Sequence, residues 1–301
     1  MRNLLIISTF IISLIFSPSA FCQEGLTKIA DNVYSYAGVR DAAPAKSFAA
    51  NAGIVVGTDA VLVVDTLISA KEARRFIADI RRATDRPVKY VVDTHYHLDH
   101  AFGNSEFVKM GATVISQVND RDNLEKRGET ALKHAGDYGL THDDLAGTVI
   151  SLPTITFTDR MTIDLGGETV ELIYVAPSHT EGSALVYLPR QKVLFTGDVL
   201  FTDFHPFMGD SDIAGWVKTL DYIFGLDVQT IIPGHGPISS KKEIADMKAY
   251  ILLFDRKARE LVAKTKDADK IAAELKKVLP ARSLGEWMIA YNVRTKYLAV
   301  K

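Results

Sequence analysis

The sequence predicts a layered α/β fold that continues into a helical C-terminal extension. Short apolar runs of strand length recur between residues 33 and 232, and segments with helical spacing separate several of them. Polar or metal-ligating side chains follow four of these runs. From residue 240 onward the pattern is helical, in three pieces that break around Asp267 and Pro280. The length fits one large α/β domain with an appendage.

The predicted strands are rich in valine, isoleucine, leucine and aromatic residues, which is typical of buried strands. Residues 57–59, Gly-Thr-Asp, form a turn that joins two of these runs into a hairpin. The predicted strands cover residues 33–36, 54–56, 61–64, 88–92, 112–116, 169–175, 184–188, 192–196 and 228–232.

Helical spacing and capping residues predict the helices that connect these strands. One begins at Ser69, where Ser69 and Glu72 resemble a capping box, and it ends before Pro87. A short helix follows the next strand through Phe107, and the polar section 119–145 contains helical fragments. A further helix is predicted near residues 213–224.

The first 22 residues have the features of a secretory signal peptide. Arg2 precedes a mostly apolar run over residues 4–16, and Pro18 and small residues follow it. This run is shorter than the roughly 18 to 20 apolar residues that span a membrane, so we expect no membrane span in the mature chain. Cleavage near Cys22 removes the only cysteine. We therefore expect a periplasmic or secreted protein without disulfides.

The charge balance excludes classes of partner that need a strong charge excess. The chain has 35 Lys and Arg against 37 Asp and Glu, a net charge of −2. Nucleic acids and anionic membranes are therefore not expected partners. A small molecule is the expected partner.

A cluster of metal-ligating residues follows the strand at residues 88–92. It comprises His95, His97, Asp99 and His100. In an extended segment alternate side chains point the same way, so the first three can converge while His100 turns toward a second position. Imidazole and carboxylate without thiolate suit zinc, iron or manganese. The sequence therefore predicts a catalytic type of metal site.

Three more ligand-type residues follow later strands. They are His179, Asp198 and His235. In layered α/β proteins the residues at strand ends converge on one rim, so separated segments can build a single site. The sequence thus offers seven potential ligands.

The ordered set of motifs resembles the metallo-β-lactamase superfamily. The motifs are His-x-His-x-Asp-His from His95, Ser-His-Thr-x-Gly-Ser around His179, Gly-Asp at Asp198 and Pro-Gly-His-Gly around His235. The hairpin that ends in Asp65 is similar to the opening motif of that family. The resemblance implies a four-layer αβ/βα sandwich with metals at one edge between the sheets. We assign this domain to residues 23–240 and the helical extension packed on it to residues 241–301.

The resemblance also implies a role for each ligand, with two zinc ions per chain. His95, His97 and His179 would hold the first metal, and Asp99, His100 and His235 would hold the second. Asp198 would bridge the two metals. Asp65 would support the motif loop by hydrogen bonding.

Such a site implies hydrolysis of an amide, ester or thioester bond in a small acyl compound. A metal lowers the pKa of its bound water to about 7, and Asp99 can orient that nucleophile or carry its proton. A β-lactam is the most concrete substrate, since export would bring the protein to the compartment where β-lactams act. Asp198 points instead to the lactonase and thioesterase branches, because one major β-lactamase group has cysteine there.

For two regions the sequence is compatible with either a substrate-binding role or a packing role. Phe204, His205 and Phe207 follow Asp198 and could form an apolar wall with one polar contact, or pack their loop onto the core. For the tail, with Trp287 and Tyr291, we expect padding of the outer layer rather than cover for a pocket. A different class of function is also open, an exported metal-binding accessory protein with little catalysis of its own.

Overall fold

The computed structural model describes residues 25–36 and 41–299 of the chain. Over these residues the chain forms two β-sheets that face each other, with helices on both outer faces. This arrangement confirms the predicted four-layer αβ/βα sandwich. The predicted signal peptide, residues 1–22, lies outside the described residues.

The first sheet has seven strands, which lie in the order β1-β2-β3-β4-β5-β6-β7. Strands β1 to β4 pair antiparallel, and β4 to β7 pair parallel. Their bounds are β1 Thr27–Ala30, β2 Val33–Ser35, β3 Gly53–Val56, β4 Val61–Val64, β5 Val88–Val92, β6 Thr113–Gln117 and β7 Ile155–Phe157.

The second sheet has five strands, which lie in the order β12-β11-β10-β9-β8. All its pairs are antiparallel except β11 with β12, which is parallel. The bounds are β8 Arg160–Asp164, β9 Thr169–Ile173, β10 Leu185–Leu188, β11 Val193–Phe201 and β12 Thr230–His235.

Helices cover the outer face of each sheet. None of the helices in the described part of the chain is both long and apolar enough to cross a bilayer. The α-helices are α1 Ala70–Ala83, α2 Leu98–Ala101, α3 Asn104–Val108, α4 Val118–Lys133, α5 Ile213–Gly225, α6 Lys241–Val262, α7 Ala268–Val278 and α8 Trp287–Asn292. Two 3-10 segments (Pro44–Ala49 and Ala135–Tyr138) and a π-helical turn (Val293–Tyr297) complete the set.

Three apolar cores separate the four layers. Between the sheets, Val64 and Val92 of the first sheet pack in one cluster with Val186 and Phe195 of the second. Helix α1 packs on the outer face of the first sheet, and helices α5 to α8 pack on the second. Because burial of apolar area is the main stabilising term, these layers hold the strand ends of the two sheets in fixed relative positions.

The helix ends follow the capping residues that the sequence indicates. The hydroxyl of Ser69 accepts from the backbone N–H of Glu72 at 3.3 Å and begins α1. Asp212 begins α5 by accepting from the backbone N–H of Gly215 at 2.6 Å. A Cβ atom at Gly215 would lie 1.9 Å from the carbonyl oxygen of Pro177, so only glycine lets α5 dock there. Helix α5 is thereby fixed beside the loop that carries His179.

The structure differs from the predicted elements in three short strands and in the ends of β11 and β12. Strands β1, β7 and β8 were not predicted, because β7 has only three residues and most of β1 and β8 is exposed or half-exposed. Strand β11 extends to Phe201, beyond the predicted end at residue 196. Gly197 has a φ of +48°, and the pairing register shifts there, so the strand continues past a local irregularity. Asp198 therefore lies within a strand and not after one. His235 likewise is the last residue of β12, which extends beyond its predicted end at residue 232.

Candidate metal centre

The seven predicted ligands come together at the edge between the two sheets. The structure groups His95, His97, His179 and Asp198 in one cluster, within which the ligand atoms lie within 4.8 Å of one another. Asp99, His100 and His235 form a second cluster by the same measure. An isolated antiparallel bridge between Ala50 and His235 joins the segment before β3 to the end of β12 at this edge.

The three imidazoles of the first cluster form a triangle. The ring centroids of His95, His97 and His179 are 4.8 Å apart in every pair, and the rings stand nearly perpendicular to one another. Three imidazoles in this arrangement leave a central position that each can reach with one nitrogen. A site of this kind, with three protein nitrogens and an open position, is typical of catalytic zinc.

Asp198 lies between the two clusters and presents one carboxylate oxygen to each. Its Oδ2 is 3.4 Å from Nε2 of His179 and 3.6 Å from Nε2 of His95. Its Oδ1 is 3.2 Å from Nε2 of His100 and 3.5 Å from Nε2 of His235. One carboxylate can therefore serve a metal in each cluster.

Small residues around Asp198 make room for its carboxylate. A Cβ atom at Gly234 would lie 1.9 Å from Oδ1 of Asp198, a distance that no side chain can occupy. Gly234 belongs to β12, which pairs with β11. The Pro-Gly-His motif thus supplies the ligand His235 and also the space in which Asp198 lies.

Four of the histidine rings have their second nitrogen held from outside the clusters. A hydrogen bond to one ring nitrogen fixes the ring orientation and directs the other nitrogen inward. The contacts are Nδ1 of His95 with Oγ1 of Thr94 (3.1 Å), Nε2 of His97 with Oδ2 of Asp210 (3.0 Å), Nδ1 of His100 with Oδ2 of Asp65 (2.8 Å) and Nδ1 of His235 with the carbonyl oxygen of Phe48 (3.0 Å).

The carboxylate of Asp65 contacts the motif loop. It accepts from the backbone N–H of Thr94 at 2.8 Å and from the Thr94 hydroxyl at 2.9 Å, besides its contact with His100. Asp65 itself has a left-handed φ of 60° just after β4. Its hydrogen bonds hold the loop that carries the first four ligands against the end of the first sheet.

The residues present fit metal ions by burial and by donor chemistry. The Nε2 atoms of His95 and His100 and the Oδ1 atom of Asp198 are buried and have no hydrogen-bond partner among the described residues. An unsatisfied buried polar atom costs about 1–3 kcal/mol, and these atoms all point into the clusters. Cations at the two positions would satisfy them, and imidazole with carboxylate suits zinc, iron or manganese.

For His179 and Asp198, burial and charge favour the protonation states that metals bind. Burial lowers the pKa of His179 to about 3, so its imidazole is neutral with a free lone pair. Burial acts to raise the pKa of Asp198, but the imidazoles of His235, His100 and His95 outweigh it and hold that pKa well below the usual value. Neutral imidazole and ionised carboxylate are the ligand forms of these groups.

A cavity of about 510 Å³ opens directly onto the clusters. Asp99 and Asp198 line it at the metal side, and Phe204 and Phe207 contribute to its apolar wall. The ring of Phe207 lies 5.4 Å from that of His97, between centroids. This size is within the range of about 300–1,000 Å³ that small-molecule sites occupy.

His205, in contrast, is not brought to this cavity. Its side chain is buried, and its Nδ1 lies 2.6 Å from the hydroxyl of Tyr250 on helix α6. Burial lowers the pKa of His205 to about 4. His205 therefore packs its loop onto the helices of the second sheet, and Phe204 and Phe207 alone of the three reach the cavity.

The C-terminal tail covers the cavity, so the expectation that it only pads the outer layer is wrong. Trp287, Met288 and Tyr291 of α8 line the cavity wall. The ring of Trp287 lies 6.4 Å from Phe48 and that of Tyr291 lies 5.7 Å from Phe207. The helix thus closes the cavity against two loops of the sandwich.

Sequence reasoning missed a network around Asp210. Its Oδ2 accepts from the Tyr96 hydroxyl at 2.6 Å and contacts His97, and its Oδ1 accepts from Nη1 of Arg127 at 3.1 Å. Arg127 also donates to the Tyr96 hydroxyl at 2.9 Å. The only signal in the sequence was an acidic residue near the end of a phenylalanine-rich loop. Nothing local relates that residue to His97.

Replacing Asp210 by alanine is expected to lower metal affinity by about tenfold to a hundredfold, because His97 loses the acceptor that orients its ring. The metal affinity of Asp210→Asn should lie between those of the unchanged chain and of Asp210→Ala, because the amide keeps one acceptor oxygen but not the charge. Competition with a chromophoric chelator measures the affinity without reference to turnover. Asp143→Ala, which removes an exposed loop carboxylate, is the matched control. Unchanged metal affinity in Asp210→Ala would show that Asp210 does not support the metal site.

The fold and the paired histidine and aspartate clusters define a class of α/β proteins built around a metal centre. The family model described as the metallo-beta-lactamase superfamily matches residues 46–235. The match covers more than half of the chain and includes all seven clustered residues. The chain therefore belongs to the metallo-β-lactamase superfamily, as the ordered motifs predicted.

The names of relatives of this chain describe different activities. The chain is 28% identical over 229 residues to a linear primary-alkylsulfatase from Pseudomonas sp. (strain ATCC 19151), an alignment that covers 64% of this chain and 43% of the relative. It is 21% identical over 254 residues to a type 2 metallo-beta-lactamase from Bacteroides fragilis, covering 80% and 94%. The chain thus spans less than half the length of the alkylsulfatase.

A solved structure supports the fold. A double mutant of a sec-alkyl sulfatase superposes with a TM-score of 0.68 at 19% sequence identity, covering 92% of this chain and 50% of that chain. At this identity the likeness concerns the fold alone. The superposed region extends beyond residue 235, where the segment that the family model matches ends.

Proposed function

We propose that the chain is an exported, dinuclear, zinc-dependent hydrolase that cleaves an acyl C–N, C–O or C–S bond of a small molecule. The observation that carries this proposal is the position of Asp198, whose two carboxylate oxygens face two separate groups of histidines. A metal-binding protein without catalysis has no need for a bridging carboxylate beside a cavity of about 510 Å³.

Two bound cations would supply a hydroxide at neutral pH and charge stabilisation of the developing oxyanion. The residues of the chain would hold the cations and limit the access of solvent to them. Asp99 lines the cavity, and its Oδ2 lies 3.2 Å from Nε2 of His235. This position supports a role for Asp99 in orienting the attacking group and in carrying its proton. The aromatic wall limits the water that reaches the reacting bond.

The substrate bond is proposed from the site and from the relatives together. The Bacteroides fragilis relative and the proposed export favour a β-lactam. Asp198, at the position where one major β-lactamase group has cysteine, favours a lactone or thioester. A sulfate ester is a second candidate, because the alkylsulfatase relative and the apolar cavity both fit an alkyl substrate.

Export is proposed from the leader at residues 1–22, with its charged start, apolar run and small-residue exit. We expect the chain in the periplasmic fraction with an N-terminus near Gln23. Mass spectrometry of the intact protein from that fraction tests this. An uncleaved chain confined to the cytoplasm would contradict it.

The function is tested by initial hydrolysis rates on a chromogenic cephalosporin, a lactone, a thioester and an alkyl sulfate. Each substrate is measured with added zinc and with a chelator. One class should show turnover that the chelator abolishes and zinc restores. Turnover that resists the chelator would contradict the metal mechanism. Bound metal without turnover on any class would instead favour the metal-binding accessory protein.

A further inference from the structure

Part of the cavity wall lies outside the segment that the family model matches. The family model ends at residue 235, whereas Trp287, Met288 and Tyr291 of α8 belong to the C-terminal extension. These side chains line the same cavity as Asp99 and Asp198. The extension therefore contributes a surface for ligand beyond the segment that the family model matches.

This added surface is apolar and partly exposed. Trp287 is 47% exposed, although its ring packs 5.8 Å from that of Tyr291 and 6.4 Å from that of Phe48. Aromatic side chains that line a cavity are typical of small-molecule binding sites. An aromatic ring or an alkyl chain would bury this face of Trp287.

Helix α4 contributes positive charge to the wall of the same cavity. Lys126 and Arg127 both line the cavity. Nη1 of Arg127 donates to Tyr96 and to Asp210, but its Nε and Nη2 have no acceptor among the described residues. The side chain of Arg127 is 45% exposed. The carboxylate of Asp210 can neutralise the charge of one of these two side chains, so the net charge of this part of the wall is positive.

We propose that the cavity is a subsite for an anionic amphiphile. Its apolar body packs on α8, and an anionic group separate from the bond that reacts is bound by Arg127. The adjacent Nε and Nη2 donors of a guanidinium match the two oxygens of a carboxylate or of a sulfonate. This inference deepens the proposed function and rests on it for the bond that is cleaved. The binding of the amphiphile is independent of turnover.

The test is displacement of the apolar fluorophore N-phenyl-1-naphthylamine from the zinc-loaded full chain. Decanoate and decanol, whose alkyl chains match, are the competitors. Neither has a bond for the proposed reaction, so only binding is measured. We expect both to displace the fluorophore and decanoate to bind about tenfold more tightly, as a charge-assisted hydrogen bond allows. Equal affinities would overturn the anionic part of the proposal.

Arg127→Met removes the charge and keeps the length of the side chain. It should abolish the preference for decanoate and leave decanol unchanged, whereas Arg121→Met, on the same helix but away from the cavity, should keep the preference. Arg127→Lys, which keeps the positive charge, should retain part of the preference for decanoate. A preference that persists in Arg127→Met would show that the carboxylate is held elsewhere, for example by zinc, and would overturn the assignment. Unchanged zinc content and melting temperature verify that the variants are folded.

Trp287→Ala tests the apolar end. It should weaken decanoate and decanol equally, by about tenfold, because less apolar area is buried against the chain. Phe224→Ala removes an exposed aromatic ring outside the cavity and should change neither affinity. Unchanged affinities in Trp287→Ala would overturn the role of α8. If both competitors bind as expected but no substrate is hydrolysed, the proposed reaction fails while the amphiphile subsite stands.

Discussion

Replacing Asp198 by alanine is expected to lower kcat/KM by about a thousandfold or more. The carboxylate is the one group that faces both histidine clusters, with Oδ1 3.2 Å from Nε2 of His100 and Oδ2 3.4 Å from Nε2 of His179. Its loss weakens both metal positions together, and metal ions supply several kcal/mol of transition-state stabilisation. Each 1.36 kcal/mol corresponds to a factor of ten in rate.

The Asp198 variant should also retain less metal after dialysis, which elemental analysis measures independently of turnover. His142→Ala provides the control, because His142 is exposed in a loop and belongs to neither cluster. That variant should keep full activity and full metal content. Normal turnover in Asp198→Ala with both metals retained would mean that the carboxylate does not bridge.

Replacing Trp216 by alanine is expected to lower the free energy of unfolding by about 3–5 kcal/mol. Trp216 is fully buried on helix α5, and its Nε1 donates to the carbonyl oxygen of Val199 at 2.8 Å. Its removal leaves a cavity and also an unsatisfied carbonyl group within β11. The ring centroid lies 5.4 Å from that of His179, so this core residue also supports a ligand.

Urea denaturation of the zinc-free protein measures this effect without a contribution from bound metal. Phe224→Ala on the same helix removes an aromatic ring that is 52% exposed, and we expect a change within about 0.5 kcal/mol. A loss of stability in Trp216→Ala no larger than that of the Phe224 variant would contradict the described packing of α5 on the second sheet.

The family and the fold could be predicted from the sequence because the motif residues are local. His95, His97, Asp99 and His100 follow a strand directly, and the later motifs around His179 and His235 come in the order that the family implies. The position of Asp198 within β11 could not be predicted. The strand continues through Gly197 only because that glycine adopts a φ of +48°.

The contacts that complete the centre were not predictable, because they depend on packing between segments far apart in the chain. Asp210 meets His97 across 113 residues, and Arg127 meets Asp210 across 83. The position of the C-terminal tail could not be predicted for the same reason. Its helical pattern was evident, but only the packing of α8 places Trp287 over the cavity and not in the outer layer.

The most direct test of the central claim is the number of zinc ions that the chain binds. Calorimetric titration of the metal-free protein, checked by elemental analysis, should give two zinc ions per chain, with one fewer when His97 is replaced by alanine. The chromogenic cephalosporin, lactone, thioester and alkyl sulfate then report whether the loaded centre is active. Binding of one ion or none by a folded chain would contradict a centre in which Asp198 joins two metal positions.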